Sequence, residues 1–232
     1  MKPKIYEKEI SLASTHLLLK TDVNENLEEY ILNQRNIIQK QINDNPQFNG
    51  YEPVDLITSP RILELMTKAG IIADIGPMSS VAGSISQICL EYLQKYGTKY
   101  SVLENGGDIA LKTNTELILG IYAGESIFTN NIALKLKPKK EGYGICTSSG
   151  TVGPSKSFGK TDATIVLGTE ASVCDSLATK IGNCGNGEDD EEIVNNSLEK
   201  AEDYLEYCDG VIVIKGEYLA KVGHIPKIVK ME

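Results

Sequence analysis

The chain of 232 residues contains only two histidines, His16 and His224, placed near its opposite ends. That scarcity gives no support for a histidine-rich metal site and leaves no local imidazole to activate a nucleophile. Its five cysteines, Cys89, Cys146, Cys174, Cys184 and Cys208, are odd in number, and no two have the CxxC spacing. Disulfides are not expected, and a catalytic thiol lacks the basic partner it needs. Cys89 and Cys146 lie in apolar surroundings and read as small core residues. No window reaches the roughly 18 to 20 apolar residues of a membrane helix. The basic start Met1-Lys2-Pro3-Lys4 is not followed by the apolar run of a signal peptide. A cytoplasmic protein with no membrane span is expected. Basic residues are also in deficit: 23 Lys and Arg against 32 Asp and Glu give a formal charge of −9. A phosphate backbone or an anionic membrane needs a basic surface, so neither is an expected partner. One small phosphorylated ligand remains open, because backbone N–H groups and a metal ion can hold it.

The 41% hydrophobic content suffices for one large domain, here read as spanning residues 1–232. Its organising stretch is Val102-Leu103-Glu104-Asn105-Gly106-Gly107-Asp108-Ile109. An apolar run stops at polar residues, turns at two glycines and becomes apolar again, which predicts strand, tight turn, strand. Glycine pairs occur where the backbone needs positive φ or where another group approaches closely. The stretch reads either as a hairpin turn with solvated polar residues or as a turn that carries a ligand.

Residues 5–21 suggest a two-stranded hairpin, and residues 25–43 a helix with Asn24 as N-cap. A short helix over Ile62–Ala69 is expected to end at Gly70. The small-residue run from Gly76 to Ser84 precedes an amphipathic helix reaching about Tyr96. Strands are expected over 115–122, 131–137, 143–149, 162–168 and 211–215, with another near 218–222 across Gly216. Helices are expected over 170–182 and 190–205. The Gly, Ser and Lys loop Thr151–Lys160 is either a surface loop or a phosphate cradle, and lacks Walker A spacing. Asp175 and Thr179 stand four apart on one helix face, where they can meet one hard cation. The plainer reading is an exposed Asp and a Thr bonded to its own helix. Many strands joined by short turns favour an α+β layered structure with antiparallel sheets and packed helices.

Four segments resemble one family. Ser80-Val81-Ala82-Gly83-Ser84, Glu104-Asn105-Gly106-Gly107-Asp108-Ile109, Thr147-Ser148-Ser149-Gly150 and Asp175-Ser176-Leu177-Ala178-Thr179 follow the order of the ApbE-like proteins. Gly76-Pro77-Met78 through Gly83, Cys146 through Gly153 and Ser157-Phe158-Gly159-Lys160 look like a shorter, functionally uncharacterised branch. The resemblance implies a T-fold-like arrangement of two pseudo-repeated α+β halves. It also implies FAD or FMN binding, bound Mg²⁺, and transfer of FMN to a threonine hydroxyl on a flavoprotein acceptor. Carried over, Asp175 and Thr179 match metal ligands, and Ala82 matches a carbonyl that completes the metal site. Gly106, Gly107 and Asp108 match the turn beside the nucleotide, while Thr147 and Ser148 match the turn before the phosphates.

The departures bear on activity. Gly83 stands where the transferases carry lysine, the histidine-containing segment is missing, and Pro154 stands where the short branch usually has histidine. Three readings follow. The first is a Mg²⁺-dependent enzyme that transfers FMN or cleaves the pyrophosphate, with Asp175 catalytic and Lys160 neutralising a phosphate. The second is a flavin-binding or assembly protein without the chemistry, and the third a descendant with no nucleotide site. Exposed edge strands leave a homodimer open.

Overall fold

The computed structural model describes residues 4–56, 60–151 and 158–231. Chain order begins with β1 (Tyr6–Leu12) and β2 (Thr15–Thr21), followed by α1 (Glu28–Asp44), α2 (Arg61–Ala73) and α3 (Val81–Lys95). Then come β3 (Ser101–Asn105), β4 (Asp108–Lys112), β5 (Leu117–Gly120), β6 (Ile132–Leu136), β7 (Tyr143–Ser148) and β8 (Ala163–Gly168). The last elements are α4 (Ala171–Cys184), α5 (Asp190–Glu202), β9 (Gly210–Lys215), β10 (Tyr218–Gly223) and β11 (Lys227–Lys230).

Eight strands form one antiparallel sheet in the order β1-β2-β3-β4-β7-β8-β9-β10, and a small antiparallel sheet runs β11-β6-β5. The α+β class with antiparallel sheets is thus observed. Along the large sheet the sequence hairpin, helices, hairpin occurs twice: β1–β2, α1 to α3, β3–β4, then β7–β8, α4 and α5, β9–β10. The recurrence is one of element order alone.

Strand alternation explains the layering. Leu103, Ala110, Cys146, Val166, Val211 and Val213 face the helices and join their core. Their neighbours Ile109, Leu111, Ile145, Ile165, Leu167, Ile212 and Ile214 face the small sheet and form a second core with Leu134 and Leu136. The central strands β8 and β9 are apolar on both sides because both sides are covered. Helix α4 is buried through most of its length, against α2, α3, α5 and the sheet. Small residues make this possible: at Gly144 a side chain would collide with the Ala171 backbone at the start of α4.

Several local expectations are corrected. Gly70 does not end α2; the helix continues to Ala73 and closes at Asp74, at φ 53°. Gly70 is needed for crowding, since a Cβ there would lie 2.8 Å from the Ile75 carbonyl oxygen as the chain folds back. Helix α1 starts at Glu28, and its amide is met by Asn26 Oδ1 at 3.1 Å, so Asn24 is not the cap. The strand expected over 115–122 is confined to Leu117–Gly120, and the helix expected over 190–205 ends at Glu202. Strand β11 is absent from the sequence reading. Most of the Thr151–Lys160 loop, including Pro154 and Ser157, lies outside the described residues.

Candidate functional site

The β3–β4 hairpin turns through Asn105-Gly106-Gly107-Asp108, with Gly106 at φ 67° and Gly107 at φ 99°. Positive φ at both central residues is the demand of a type I′ turn. A Cβ on Gly106 would meet nothing within 4 Å, and one on Gly107 would lie an ordinary 3.8 Å from Thr147 Cβ. Of the two reasons for a glycine pair, positive φ is the one seen here, and crowding by the protein's own atoms is not.

Facing this turn is the start of α3. Gly83 N–H, one of the helix-terminal donors without an internal partner, donates to Asp175 Oδ2 of α4 at 2.8 Å. Ser80 offers no side-chain cap, so Asp175 serves the helix end in its place. The favourable dipole of a helix start adds to that bond. Gly83 must be glycine for space: a Cβ would lie 2.5 Å from the Ala171 carbonyl oxygen and 2.8 Å from Asp175 Cβ. The two walls are tied by Asn105, whose Nδ2 donates to the Ala82 carbonyl at 3.3 Å while its Oδ1 accepts from the His16 amide at 3.3 Å. Ser86 Oγ also donates to the Asp108 carbonyl at 2.9 Å.

A cleft of about 480 Å³ opens between these walls. Ala82, Asp108, Asp175, Thr179, Gly106, Gly107, Thr147 and Ser148 all line it, together with Glu104 and Asp162. Apolar side chains line it as well: Met78, Leu119, Ile121, Leu134, Ile145 and Ile165, with Tyr122 at 58% exposure. Eight of the nine site residues read from the sequence are brought together. Lys160 is not among them; its Nζ donates to the Gly187 carbonyl at 3.0 Å on the surface, away from the phosphate role expected of it.

Asp108 and Asp175 are only 8% and 7% exposed. Burial pushes the Asp175 carboxyl up to about 7, against the pull of the Gly83 amide. Burial, then the Asp175 charge, raises Asp108 well above the carboxylate range, while the Cys146 thiol and the Thr147 amide draw it down. Asp108 Oδ1 is buried with no hydrogen-bond partner. Leaving such an oxygen unpaired is costly, and two like charges this close disfavour one another. Among the described residues no group of three His, Cys, Asp or Glu side chains is placed to hold a metal ion. A cation here would have two carboxylates, with the Thr179 hydroxyl and the Ala82 carbonyl as neutral oxygen donors. That all-oxygen set suits a hard cation such as Mg²⁺ and not zinc, and the orphaned Asp108 oxygen gives it a place.

Sequence reasoning missed Asp162. Its Oδ1 accepts from Lys215 Nζ at 3.0 Å and from Thr151 Oγ1 at 3.0 Å, and its Oδ2 from the Gly216 amide at 2.8 Å. The signal was an acid at the mouth of the apolar run that becomes β8. The buried thiols of Cys89, Cys146 and Cys174 have their pKa pushed up by burial, as core cysteines do. No helix among the described residues is long and apolar enough to cross a membrane.

The family model described as AbpE bacteria matches residues 6–221. A UPF0280 protein of Methanosphaera stadtmanae is 54% identical over 231 residues, covering 99% of this chain and 94% of that protein. A UPF0280 protein of Methanothermobacter thermautotrophicus is 42% identical, with 95% and 86% covered. Among solved structures, the ApbE protein of Thermotoga maritima has a TM-score of 0.59 at 12% identity, with 94% of this chain and 97% of that one covered. The flavinyl transferase ApbE of Pseudomonas stutzeri, in its apo form, has a TM-score of 0.55 at 10% identity, with 95% of each chain covered. At such identities the likeness is one of fold.

Proposed function

The chain belongs to the AbpE bacteria family and is related to the UPF0280 proteins, and from that premise we propose that its cleft binds a flavin nucleotide with Mg²⁺ and acts on the pyrophosphate of FAD. The observation that carries the proposal is the buried, unpartnered Asp108 Oδ1 beside Asp175 in a cleft lined by both polar and apolar side chains. Such a cleft accepts an amphipathic ligand: a flat ring system against the apolar side chains, phosphates at the carboxylates. An ApbE fold shared with a flavinyl transferase supports the same ligand.

Asp175, Asp108, Thr179 and the Ala82 carbonyl would hold the cation. Bound there, Mg²⁺ supplies Lewis-acid stabilisation of charge developing on phosphoryl oxygens. The Gly83 amide fixes the Asp175 carboxylate, and Asn105 fixes the Ala82 carbonyl. The apolar side chains would orient the ring, and Thr147 and Ser148, which line the cleft, would contact the phosphates. Attack on the FMN-side phosphorus by water or an acceptor hydroxyl breaks the bridging P–O bond; FMN goes to the attacking oxygen, the proton of that oxygen passes to solvent, and AMP leaves with the bridging oxygen.

A second reading, a flavin carrier without the chemistry, is favoured by two facts. Lys160 points to Gly187 and not to the cleft, and the closed contact at Gly83 leaves no room for a lysine. Incubation of the full chain with FAD and Mg²⁺ separates the two. AMP release that falls at least a hundredfold in Asp175→Asn and Asp108→Asn is the expected outcome. Flavin binding without AMP selects the carrier. A chain that binds no FAD, and whose melting temperature ignores Mg²⁺, overturns both.

A further inference from the structure

Among the described residues four strands end a sheet: β1 and β10 in the large sheet, β11 and β5 in the small one. Three of them carry charge. Strand β1 has Glu7, Lys8 and Glu9, β10 has Lys221, and β11 has Lys227 and Lys230. Charges of this kind keep an open edge from pairing with another chain. Strand β5, Leu117-Ile118-Leu119-Gly120, has none. Its outward side chains are apolar too: Ile118 is 52% exposed, and Tyr122 continues the same alternation beyond Gly120. Met231 Sδ lies beside Gly120, 3.5 Å from where a Cβ would stand. Leu119, Gly120, Ile121 and Tyr122 also form a wall of the cleft. An unguarded edge and a cleft wall are thus one stretch of chain.

We propose that β5 receives an extended segment of a partner polypeptide as an added strand, its apolar side chains at alternate positions against Ile118 and Tyr122. Main-chain hydrogen bonds to the free edge would supply affinity, and the alternating contacts specificity. The docked segment runs along the cleft, where one of its side chains can enter; that purpose, though not the docking, rests on reading the cleft as the nucleotide site. Area decides between this occupant and a second copy of the chain. Ile118, Tyr122 and Met231 offer on the order of a few hundred Å². Stable interfaces bury roughly 1,200 to 2,000 Å². A formal charge of −9 on each copy also opposes self-association. A short, transient segment fits the edge; a permanent dimer does not.

The test selects peptides of about ten residues from a random phage-displayed library on the immobilised full chain, then follows amide hydrogen exchange with the enriched peptide. Expected are enriched sequences with alternating apolar residues, at least tenfold slower exchange within Leu117–Gly120, and at least tenfold weaker binding to Ile118→Lys. The melting temperature of Ile118→Lys should match that of the parent. No enriched peptide, protection confined to other elements, or undiminished binding to Ile118→Lys overturns the proposal. So does a chain that sediments as a dimer with the β5 amides already protected. FAD affinity is measured on the same samples: its absence alongside peptide-dependent protection defeats the cleft reading and leaves the docking intact.

Discussion

Across the cleft, the first turn of α3 faces the Asn105–Asp108 turn, and each wall carries a glycine and a buried aspartate. On the α3 side Gly83 has no room: Ala171 and Asp175 occupy the space of its missing side chain. On the turn side Gly106 and Gly107 have room and instead hold positive φ. The aspartates differ in the same sense. Asp175 is engaged by the Gly83 amide, whereas Asp108 keeps an oxygen without a partner. One wall is closed and structural, the other is open, its turn held by glycines at positive φ. A ligand is therefore received by the turn side against a fixed α3–α4 contact.

Substitution at the two glycines should separate these walls most strongly. Gly83→Lys forces backbone and side chain apart where α3 crosses α4, an overpacking that cannot relax into a flexible neighbour. The loss should exceed about 3 kcal/mol, seen as a collapsed melting transition. Gly107→Ala incurs only the left-handed backbone penalty, roughly 1 to 2 kcal/mol, with the sheet intact. Equal effects at both positions would break the comparison.

Titration gives a smaller effect on the same pair. An unfolded Asp titrates near its ordinary value of about 3.9, while folded Asp175 is raised to about 7. The folded chain holds the proton more tightly, so this contribution is complete below the unfolded value and is lost as pH rises through the folded one. Between about pH 5 and pH 8 the loss is about 3 kcal/mol, and Asp108, raised in the same direction, adds to it. Urea denaturation across that range should show falling stability in the absence of divalent cations. Asp175→Asn should flatten the profile, and Mg²⁺ should restore the parent most at the alkaline end. A parent whose stability does not change with pH would show that the two carboxyls are not held against solvent.

Much of this was legible in the residues, and the misses have physical causes. The antiparallel α+β class followed from many short apolar runs separated by turn residues. The cleft could be assembled because the motifs that build it are local: a double-glycine turn, a small-residue helix start, and an Asp and Thr one helical turn apart. What stayed hidden was long-range. Gly70 looks like punctuation in sequence, yet it is set by the chain folding back at Ile75 and Pro77, and the partners that crowd Gly83, Ala171 and Asp175, come from a distant helix. Strand β11 was missed because its four residues, Lys-Ile-Val-Lys, gain a strand only by pairing with β6, far upstream. Asp162 read only as the start of a strand because its partners, Lys215 and Gly216, arrive from another hairpin.

The smallest effect is expected at Lys160, which sharpens the contrast by lying on neither wall. Its ammonium bonds the Gly187 carbonyl and its amide bonds the Gly185 carbonyl, so its contacts serve the loop between α4 and α5. Removing an exposed side chain of this kind changes stability by no more than about 0.5 kcal/mol, and the backbone bond survives in Lys160→Ala. Neutralisation of a phosphate would require the ammonium in the cleft, which it does not line. Lys160→Ala should therefore leave FAD affinity, read by flavin fluorescence, within about twofold of the parent, a difference of roughly 0.4 kcal/mol. A tenfold loss would mean that the lysine swings into the cleft when nucleotide binds, and would restore its role in neutralising a phosphate.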